Sequence, residues 1–136
     1  MNRAILLISH GKLAKEIKES IKMITGTIDD IYYTCLESGD QSEEFIDKLR
    51  NEIDKLSKYE EVIVFADLYG GSPCNNAMKY LVNDDKYRII SGMNLSMVIS
   101  ASLNEEEHVD SLLNIGRNAI IDVKDIYNSM KYDDED

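Results

Sequence analysis

Hydrophobic and polar positions follow two alternating rhythms along the chain. Short, nearly continuous apolar runs are typical of strands buried on both faces of a sheet, and they predict four strands. These runs cover Ala4–Ile8, Ile31–Leu36, Glu61–Ala66 and Tyr87–Ile90. Between them, apolar residues recur every three or four positions, which predicts amphipathic helices. The helices begin near Leu13, Ser42, Pro73, Leu95 and Glu106. Strands separated by helices predict a doubly wound α/β domain with four parallel strands.

Glycine, serine and proline mark several helix ends in this pattern. Gly26 lies where a helix C-cap belongs, and Ser72-Pro73 suits an N-cap followed by the first helical position. Near the C terminus, Ile120–Val123 predicts a last strand. The acidic segment that follows has no core-forming content. We therefore expect one domain over residues 1–128 and a disordered acidic tail over residues 129–136.

The chain is strongly acidic, with 26 Asp and Glu residues against 15 Lys and Arg residues and a net charge of −11. Such an excess repels nucleic-acid phosphates and anionic lipid, so we expect neither as a direct partner. A basic protein is a better match because opposite net charges speed encounter. No apolar run is long enough for a signal-peptide core or for the ~20 residues that span a bilayer. Together with two widely spaced cysteines, these features predict a cytoplasmic protein.

Residues that can carry chemistry follow the first and third predicted strands. Ser9-His10-Gly11 ends the first strand, Asp67 ends the third, and Gly70-Gly71-Ser72 leads into the next helix. In a doubly wound sheet, ligands bind outside the carboxyl ends of the strands, where the strand order reverses. In the strand order 2-1-3-4, the loops after strands one and three flank that point. His10 and Asp67 would then be neighbours.

An imidazole beside a carboxylate and a glycine turn suits the transfer of a phosphoryl group. Imidazole has an unperturbed pKa of about 6.5, so its neutral, nucleophilic form is available near neutral pH. Asp67 would accept the hydrogen bond of one ring nitrogen and orient His10 for attack through the other. The phosphate-binding set would comprise the backbone of Gly70-Gly71-Ser72, the hydroxyls of Ser72 and Ser9, and Gly11. This chemistry needs no cofactor and no metal.

Two other candidates have weaker support. Cys74, near a helix start, could have a lowered pKa and act as a redox thiol, although a small buried side chain is its more common role there. His108 follows three glutamates, Glu105 to Glu107, which resemble a metal site only superficially. We expect a solvated helix start at that position. His10 with Asp67 alone would make a weak metal site.

Three motifs carry a resemblance to a known family. They are Ser9-His10-Gly11, Asp67-Leu68-Tyr69-Gly70-Gly71-Ser72-Pro73, and Ser91-Gly92-Met93-Asn94-Leu95-Ser96-Met97. With these motifs, residues 1 to about 125 resemble the IIA component of the mannose family of the bacterial phosphoenolpyruvate-dependent sugar phosphotransferase system. Two positions depart from that pattern. Ser96 stands where the family usually has proline, and Tyr69 stands where tryptophan is frequent.

The resemblance implies a phosphocarrier. His10 would accept a phosphoryl group from the histidine phosphocarrier protein HPr and pass it to the IIB component, so the membrane permease would be only an indirect partner. Asp67 would orient the histidine, and Ser72 would contact the phosphate. The resemblance also implies a homodimer in which the C-terminal segment, Ile120–Val123, forms an antiparallel edge strand exchanged between subunits.

Two alternative functions remain open at the level of sequence. A related domain could serve as a regulatory module that is phosphorylated as a signal, as in dihydroxyacetone phosphorylation or within transcription regulators. A small-molecule binding domain at the same switch point is a weaker alternative.

Overall fold

The computed structural model describes residues 2–134, in which four strands alternate with helices as the sequence predicts. The strands are β1 (Arg3–His10), β2 (Ile31–Leu36), β3 (Glu61–Ala66) and β4 (Tyr87–Ser91). The helices are α1 (Leu13–Thr25), α2 (Ser42–Lys55), α3 (Ser72–Leu81), α4 (Leu95–Leu103), α5 (Val109–Asn118) and α6 (Val123–Asp134).

All four strands are parallel and lie in the order β2-β1-β3-β4, so the predicted strand order is confirmed. At the carboxyl end of β1, Ile8 pairs with Thr34 of β2 on one side and with Ala66 of β3 on the other. The order reverses between β1 and β3, since β2 and β4 lie on opposite outer edges. The loops that follow β1 and β3 therefore open at the same edge of the sheet.

The sheet is covered on both faces, which explains why β1 is continuously apolar. Ala4, Leu6 and Ile8 face α2 and α3, where Phe45 and Leu49 are fully buried. The alternate β1 residues face a second core formed with α1, α4 and α5. Its β1 and helix members include Ile5, Leu7, Ile21 and Leu112. Burial of one large apolar side chain contributes about 1.5–3 kcal/mol. The two cores therefore hold the carboxyl edge of β1 and β3 on a rigid base.

Helix α1 begins and ends at residues that fix its position. At its start, the buried Ser9 hydroxyl accepts a hydrogen bond from the backbone N–H of Ala14. At its end, Gly26 adopts φ 77° and donates its N–H to the carbonyl of Lys22. The predicted C-cap at Gly26 is confirmed, because the left-handed conformation is readily adopted only by glycine.

The C-terminal segment differs from its prediction. Residues 120–122 of the expected strand Ile120–Val123 lie in a loop, and Val123 is the first residue of α6, which extends to Asp134. The expected disordered tail is therefore helical over residues 129–134, whereas residues 135 and 136 lie outside the described residues. An edge strand gains its hydrogen bonds only beside another strand, and the described sheet has none next to this segment. A helix satisfies its backbone within itself.

Helix α6 has an apolar stripe at helical spacing that points to solvent. Its members are 42% to 69% exposed: Val123, Ile126, Tyr127 and Met130. The preceding residues Ile120 and Ile121 are exposed as well. We call residues 120–130 the C-terminal arm. Over the described residues, no helix is long and apolar enough to cross a membrane.

Candidate functional site

His10 and Asp67 meet at the carboxyl edge of the sheet, as the strand order predicts. One carboxylate oxygen of Asp67, Oδ2, lies 2.9 Å from the ring nitrogen Nδ1 of His10. The same oxygen accepts a hydrogen bond of 2.9 Å from the backbone N–H of His10. A carboxylate can only accept, so Nδ1 carries the hydrogen and the lone pair of the neutral ring lies on Nε2. Asp67 thus fixes both the orientation and the tautomer of His10.

The two side chains differ in exposure in a way that suits a surface nucleophile. The His10 side chain is 45% exposed, whereas that of Asp67 is only 13% exposed. Within the described residues, no hydrogen bond engages Nε2 of His10. The second carboxylate oxygen of Asp67, Oδ1, is buried and has no partner among those residues. The carboxylate is thus the more buried partner of the pair, and Nε2 is the ring nitrogen without a described hydrogen bond.

Gly71 packs directly against the edge of the His10 ring. A Cβ atom at Gly71 would lie 2.6 Å from Cε1 and 3.4 Å from Nε2 of His10. Its backbone conformation (φ −75°, ψ 160°) is one that any residue can adopt, so glycine is required here for space alone. Gly70 is different: its φ of 82° is left-handed, and a Cβ there would meet no atom within 4 Å. The two glycines thus form the turn and allow its close approach to His10.

Helix α3 starts immediately beside the histidine. Gly71 is its N-cap and Ser72 its first residue, so the predicted N-cap at Ser72 is displaced by one position. The Ser72 hydroxyl is partly exposed, and its oxygen lies 3.1 Å from the side-chain nitrogen Nδ2 of Asn76. Asn75 donates from its own Nδ2 to the carbonyl of Gly70 at 3.1 Å, which braces the turn. Ser72, at the N-terminal end of α3, therefore directly follows the glycine that approaches the His10 ring.

Two residues of the predicted phosphate-binding set have other roles in the structure. Ser9 is fully buried, and its hydroxyl accepts from the N–H of Ala14 at 2.8 Å, so it holds the start of α1 and lies away from solvent. This corrects its predicted role as a phosphate donor. Gly11 is exposed with φ 60°, and its N–H donates to the carbonyl of Leu36 at 2.8 Å. That bond continues the β1–β2 ladder one residue beyond His10.

Asn94 is a structural residue that sequence reasoning missed. Its side chain accepts from the N–H of Met97 at 3.1 Å and caps α4. Its Nδ2 donates to the carbonyl of Gly116 at 2.8 Å, which ties α4 to α5. Asparagine three residues before the first buried position of an apolar helix is the signal that would have revealed the cap. Asn94 thus caps α4 two residues before Ser96, which stands at the family's proline position.

Neither of the weaker candidates forms a reactive site. Cys74 is buried, and burial raises the pKa of its thiol, so the lowered pKa considered for it is wrong. His108 is an exposed residue that immediately precedes α5, as a solvated helix start predicts. Among the described residues, no group of three or more His, Cys, Asp or Glu side chains could hold a metal ion.

His10 stands on an open surface and does not line the larger cavities. A cavity of about 360 Å³ lies on the β2 edge beside Thr34 and Lys48. Another, of about 340 Å³, lies at the opposite end of the sheet beside Arg3 and Arg88. A third cavity, of about 450 Å³, extends from Gly11, next to His10, to Asp40. None of these three cavities has His10 or Asp67 in its lining.

The fold and the site together define a class: a parallel α/β protein with an oriented, solvent-facing histidine at its topological switch point. Residues 4–114 match the family described as "PTS system fructose IIA component", and the chain belongs to that family. It is therefore a IIA-type component of the sugar phosphotransferase class, as the sequence motifs predict.

Individual relatives agree with this assignment. The chain is 26% identical over 107 residues to the mannose-specific EIIAB component of Escherichia coli (strain K12), covering 79% of this chain and 33% of that protein. It thus spans about a third of the length of the mannose-specific relatives. It is 25% identical over 112 residues to the fructose-specific EIIA component of Bacillus subtilis (strain 168), covering 82% of this chain and 77% of that protein.

Solved structures of two relatives share the fold. The PTS IIA protein associated with the fucose utilization operon of Streptococcus pneumoniae has a TM-score of 0.86 and 30% identity, covering 93% of this chain and 97% of that one. The mannose/sorbose-specific IIA subunit from Enterococcus faecalis has a TM-score of 0.79 and 32% identity, covering 90% of this chain and 95% of that one.

Proposed function

We propose that this protein is a phosphocarrier that accepts a phosphoryl group on Nε2 of His10 from phosphorylated HPr and passes it to a IIB component. In the first step, the Nε2 lone pair of His10 forms a bond to phosphorus while the bond between phosphorus and the donor imidazole breaks. The donor ring keeps the electron pair of the broken bond. The second step repeats this exchange with the IIB acceptor. The membrane permease takes part only downstream, and the relay operates in the cytoplasm.

The observation that carries the proposal is the contact between Nδ1 of His10 and Oδ2 of Asp67 at 2.9 Å. It leaves Nε2 as the ring nitrogen with the lone pair, on a side chain that is 45% exposed. As phosphorus attaches to Nε2, the ring gains positive charge, which the adjacent carboxylate stabilises. The same carboxylate keeps the ring in one orientation through both transfers.

The N-terminal end of α3 supports the phosphoryl group in this proposal. Catalysis of phosphoryl transfer depends on positioning and on stabilisation of charge on the equatorial oxygens. Ser72 offers a backbone N–H and a hydroxyl at the first turn of a ten-residue helix. Gly71 lets this turn reach the ring, since a Cβ there would contact Cε1. The site needs no cofactor because each transfer only exchanges one bond to phosphorus for another.

The proposal includes a homodimer held by the C-terminal arm. Its exposed apolar residues form a stripe that finds no cover within the described part of the chain. Contiguous exposed apolar surface of this kind marks an interaction site. A second copy of the chain is the proposed occupant, as in the dimers that the family resemblance implies.

Reconstitution of the relay tests the proposal. Incubation with phosphoenolpyruvate, HPr and the enzyme that phosphorylates HPr from phosphoenolpyruvate should add one phosphoryl mass per chain, stable in base and labile in acid. The His10→Ala variant should take up none, and a His108→Ala variant should serve as the matched control with full uptake. Uptake by His10→Ala, or none by the unaltered chain, would rule out the proposal.

A regulatory module would also become phosphorylated, so the second transfer distinguishes the two functions. A carrier transfers its phosphoryl group to a IIB component about as fast as it accepts one from HPr. After this transfer, the chain returns to its unphosphorylated mass. A sensor retains the label when candidate IIB proteins are added. The genomic neighbourhood gives a further check, because a transport carrier is expected beside genes for a IIB component and permease subunits.

A further inference from the structure

Asn76 is a buried polar residue in the first half of α3. It is only 7% exposed, and its Nδ2 lies 2.9 Å from the carbonyl oxygen and 3.1 Å from the hydroxyl oxygen of Ser72. We propose that Asn76 is a positioning residue that directs the Ser72 O–H to donate to the phosphoryl group on His10. This inference rests on the proposed phosphocarrier function and adds a residue to it.

The contacts of Asn76 determine which way its amide points. A backbone carbonyl can only accept, so the side-chain atom 2.9 Å from the carbonyl of Ser72 must be the NH₂ group. That nitrogen has two hydrogens, and the second points to the hydroxyl oxygen of Ser72. The serine oxygen is therefore an acceptor in this pair. Its own hydrogen must be donated elsewhere, and no described protein group receives it.

The position of Ser72 indicates where that hydrogen goes. The preceding residue, Gly71, approaches so closely that a Cβ atom would lie 3.4 Å from Nε2 of His10. Ser72 is the next residue and is partly exposed. A phosphoryl group bonded to Nε2 would place anionic oxygens beside this turn. A hydroxyl that already accepts from Asn76 is a pre-oriented donor to such an oxygen.

Without Asn76, the Ser72 hydroxyl would have a competing arrangement. Serine hydroxyls within helices readily donate to nearby backbone carbonyls, which withdraws the hydrogen from solvent. The amide of Asn76 favours the opposite polarity. The effect of Asn76 on transfer should therefore require the Ser72 hydroxyl. A purely structural effect of Asn76 would persist when that hydroxyl is removed.

Four variants separate these roles: Asn76→Ala, Asn76→Asp, Ser72→Ala and the Ser72→Ala/Asn76→Ala double variant. The rate of phosphoryl uptake from phosphorylated HPr and the rate of spontaneous hydrolysis of the phosphorylated chain are measured for each. Asn114→Ala is the matched control, because Asn114 is an exposed helical amide with no hydrogen bond among the described residues. Urea unfolding of every variant reports on stability separately.

Ser72→Ala should slow uptake about tenfold, less than the loss of a donor in a fully enclosed site, since His10 is half-exposed. Asn76→Ala should slow uptake about threefold. This effect is smaller than that of Ser72→Ala because the hydroxyl is still present and only its orientation is lost. Asn76→Asp should be slower than Asn76→Ala, because a carboxylate accepts from Ser72 and withdraws its hydrogen. Its rate should recover as the pH falls and the new carboxyl becomes protonated. In the Ser72→Ala background, Asn76→Ala should have no further effect.

Three results would overturn the inference. Asn76→Ala could slow uptake equally with and without the Ser72 hydroxyl, which would assign it a structural role. Asn76→Ala and Asn76→Asp could match the Asn114→Ala control, which would leave Asn76 without effect. Finally, the unaltered chain could take up no phosphoryl group, and in that case the phosphocarrier function itself would fail together with the inference.

Discussion

Replacement of Gly71 by alanine should damage the chemistry while leaving the fold intact. The new Cβ would lie 2.6 Å from Cε1 of His10. Carbon atoms in favourable contact are about 3.5–4.0 Å apart, so the ring must move by about 1 Å. The His10 ring is the far end of a half-exposed side chain and can move without disturbing the core. The movement stretches the 2.9 Å bond between Nδ1 and Asp67 beyond hydrogen-bonding range.

The expected magnitudes follow from this geometry. A displacement of about 1 Å in a reacting group costs on the order of 100-fold in rate. The free energy of unfolding should change by no more than about 1 kcal/mol, because Gly71 has an ordinary backbone conformation and alanine restricts the unfolded chain. Gly26→Ala is the matched control. Its φ of 77° at the far end of α1 predicts a loss of about 1–2 kcal/mol in stability with unchanged transfer.

Two measurements decide the outcome. Initial rates of phosphoryl uptake from phosphorylated HPr report on the site, and urea unfolding reports on the fold. Gly71→Ala should lower the first and spare the second, whereas Gly26→Ala should do the reverse. Uptake by Gly71→Ala at the unaltered rate would refute the argument that glycine is needed for the position of the ring.

Three further predictions concern other parts of the molecule. Asp67→Ala should slow uptake at least tenfold by releasing the His10 ring. Its unfolding free energy should change little, because the variant also removes the buried, unpartnered Oδ1; unchanged uptake would contradict the orienting role. Ile126→Asp in the C-terminal arm should convert a dimer to monomers in sedimentation velocity, whereas Asn128→Asp on the opposite face of α6 should not; identical sedimentation of both variants would exclude the arm as the contact. Cys74, whose thiol pKa is raised by burial, should react slowly with iodoacetamide near neutral pH and quickly in urea; rapid labelling of the folded chain would contradict its burial.

The sheet and the central pair of the site could be predicted from the sequence because both follow from simple periodicity. Apolar runs gave the four strands, and the alternation with helices implied a parallel order. In a parallel sheet, all strands end at the same edge. In the strand order 2-1-3-4, strands one and three are also neighbours, so the sequence predicts that His10 and Asp67 lie close together. These predictions need only the position of a residue at the end of a strand, and the neighbouring residues in the sequence indicate that position.

The parts that could not be predicted depend on atomic packing between elements. Ser9 and Ser72 look equivalent in the sequence, yet the Ser9 hydroxyl is buried and accepts from the N–H of Ala14, whereas Ser72 is partly exposed at the start of α3. The need for glycine at Gly71 comes from the approach of His10, which no turn pattern encodes. The role of Asn76 depends on an amide orientation fixed by a carbonyl four residues earlier. Periodicity assigns residues to faces, but it does not specify such contacts.

The C-terminal segment shows a different limit of sequence reasoning. Ile120–Val123 has the composition of a strand, and the structure places it in a loop followed by a helix. β-Propensity describes how a side chain fits a sheet that is already present, so it cannot specify structure where the described sheet offers no neighbour. In the structure, the apolar residues of this segment are exposed, and no described strand covers them.

The single carboxylate oxygen that holds both the backbone and the ring of His10 has a consequence for the product. Histidine can be phosphorylated at either ring nitrogen, which gives two regioisomers that differ in stability and in antibody recognition. Because Nδ1 donates to Oδ2 of Asp67, a phosphoryl group on Nδ1 would break that hydrogen bond, whereas one on Nε2 would leave it in place. If the chain is the proposed phosphocarrier, its phosphorylated form should therefore carry a single isomer, linked through Nε2.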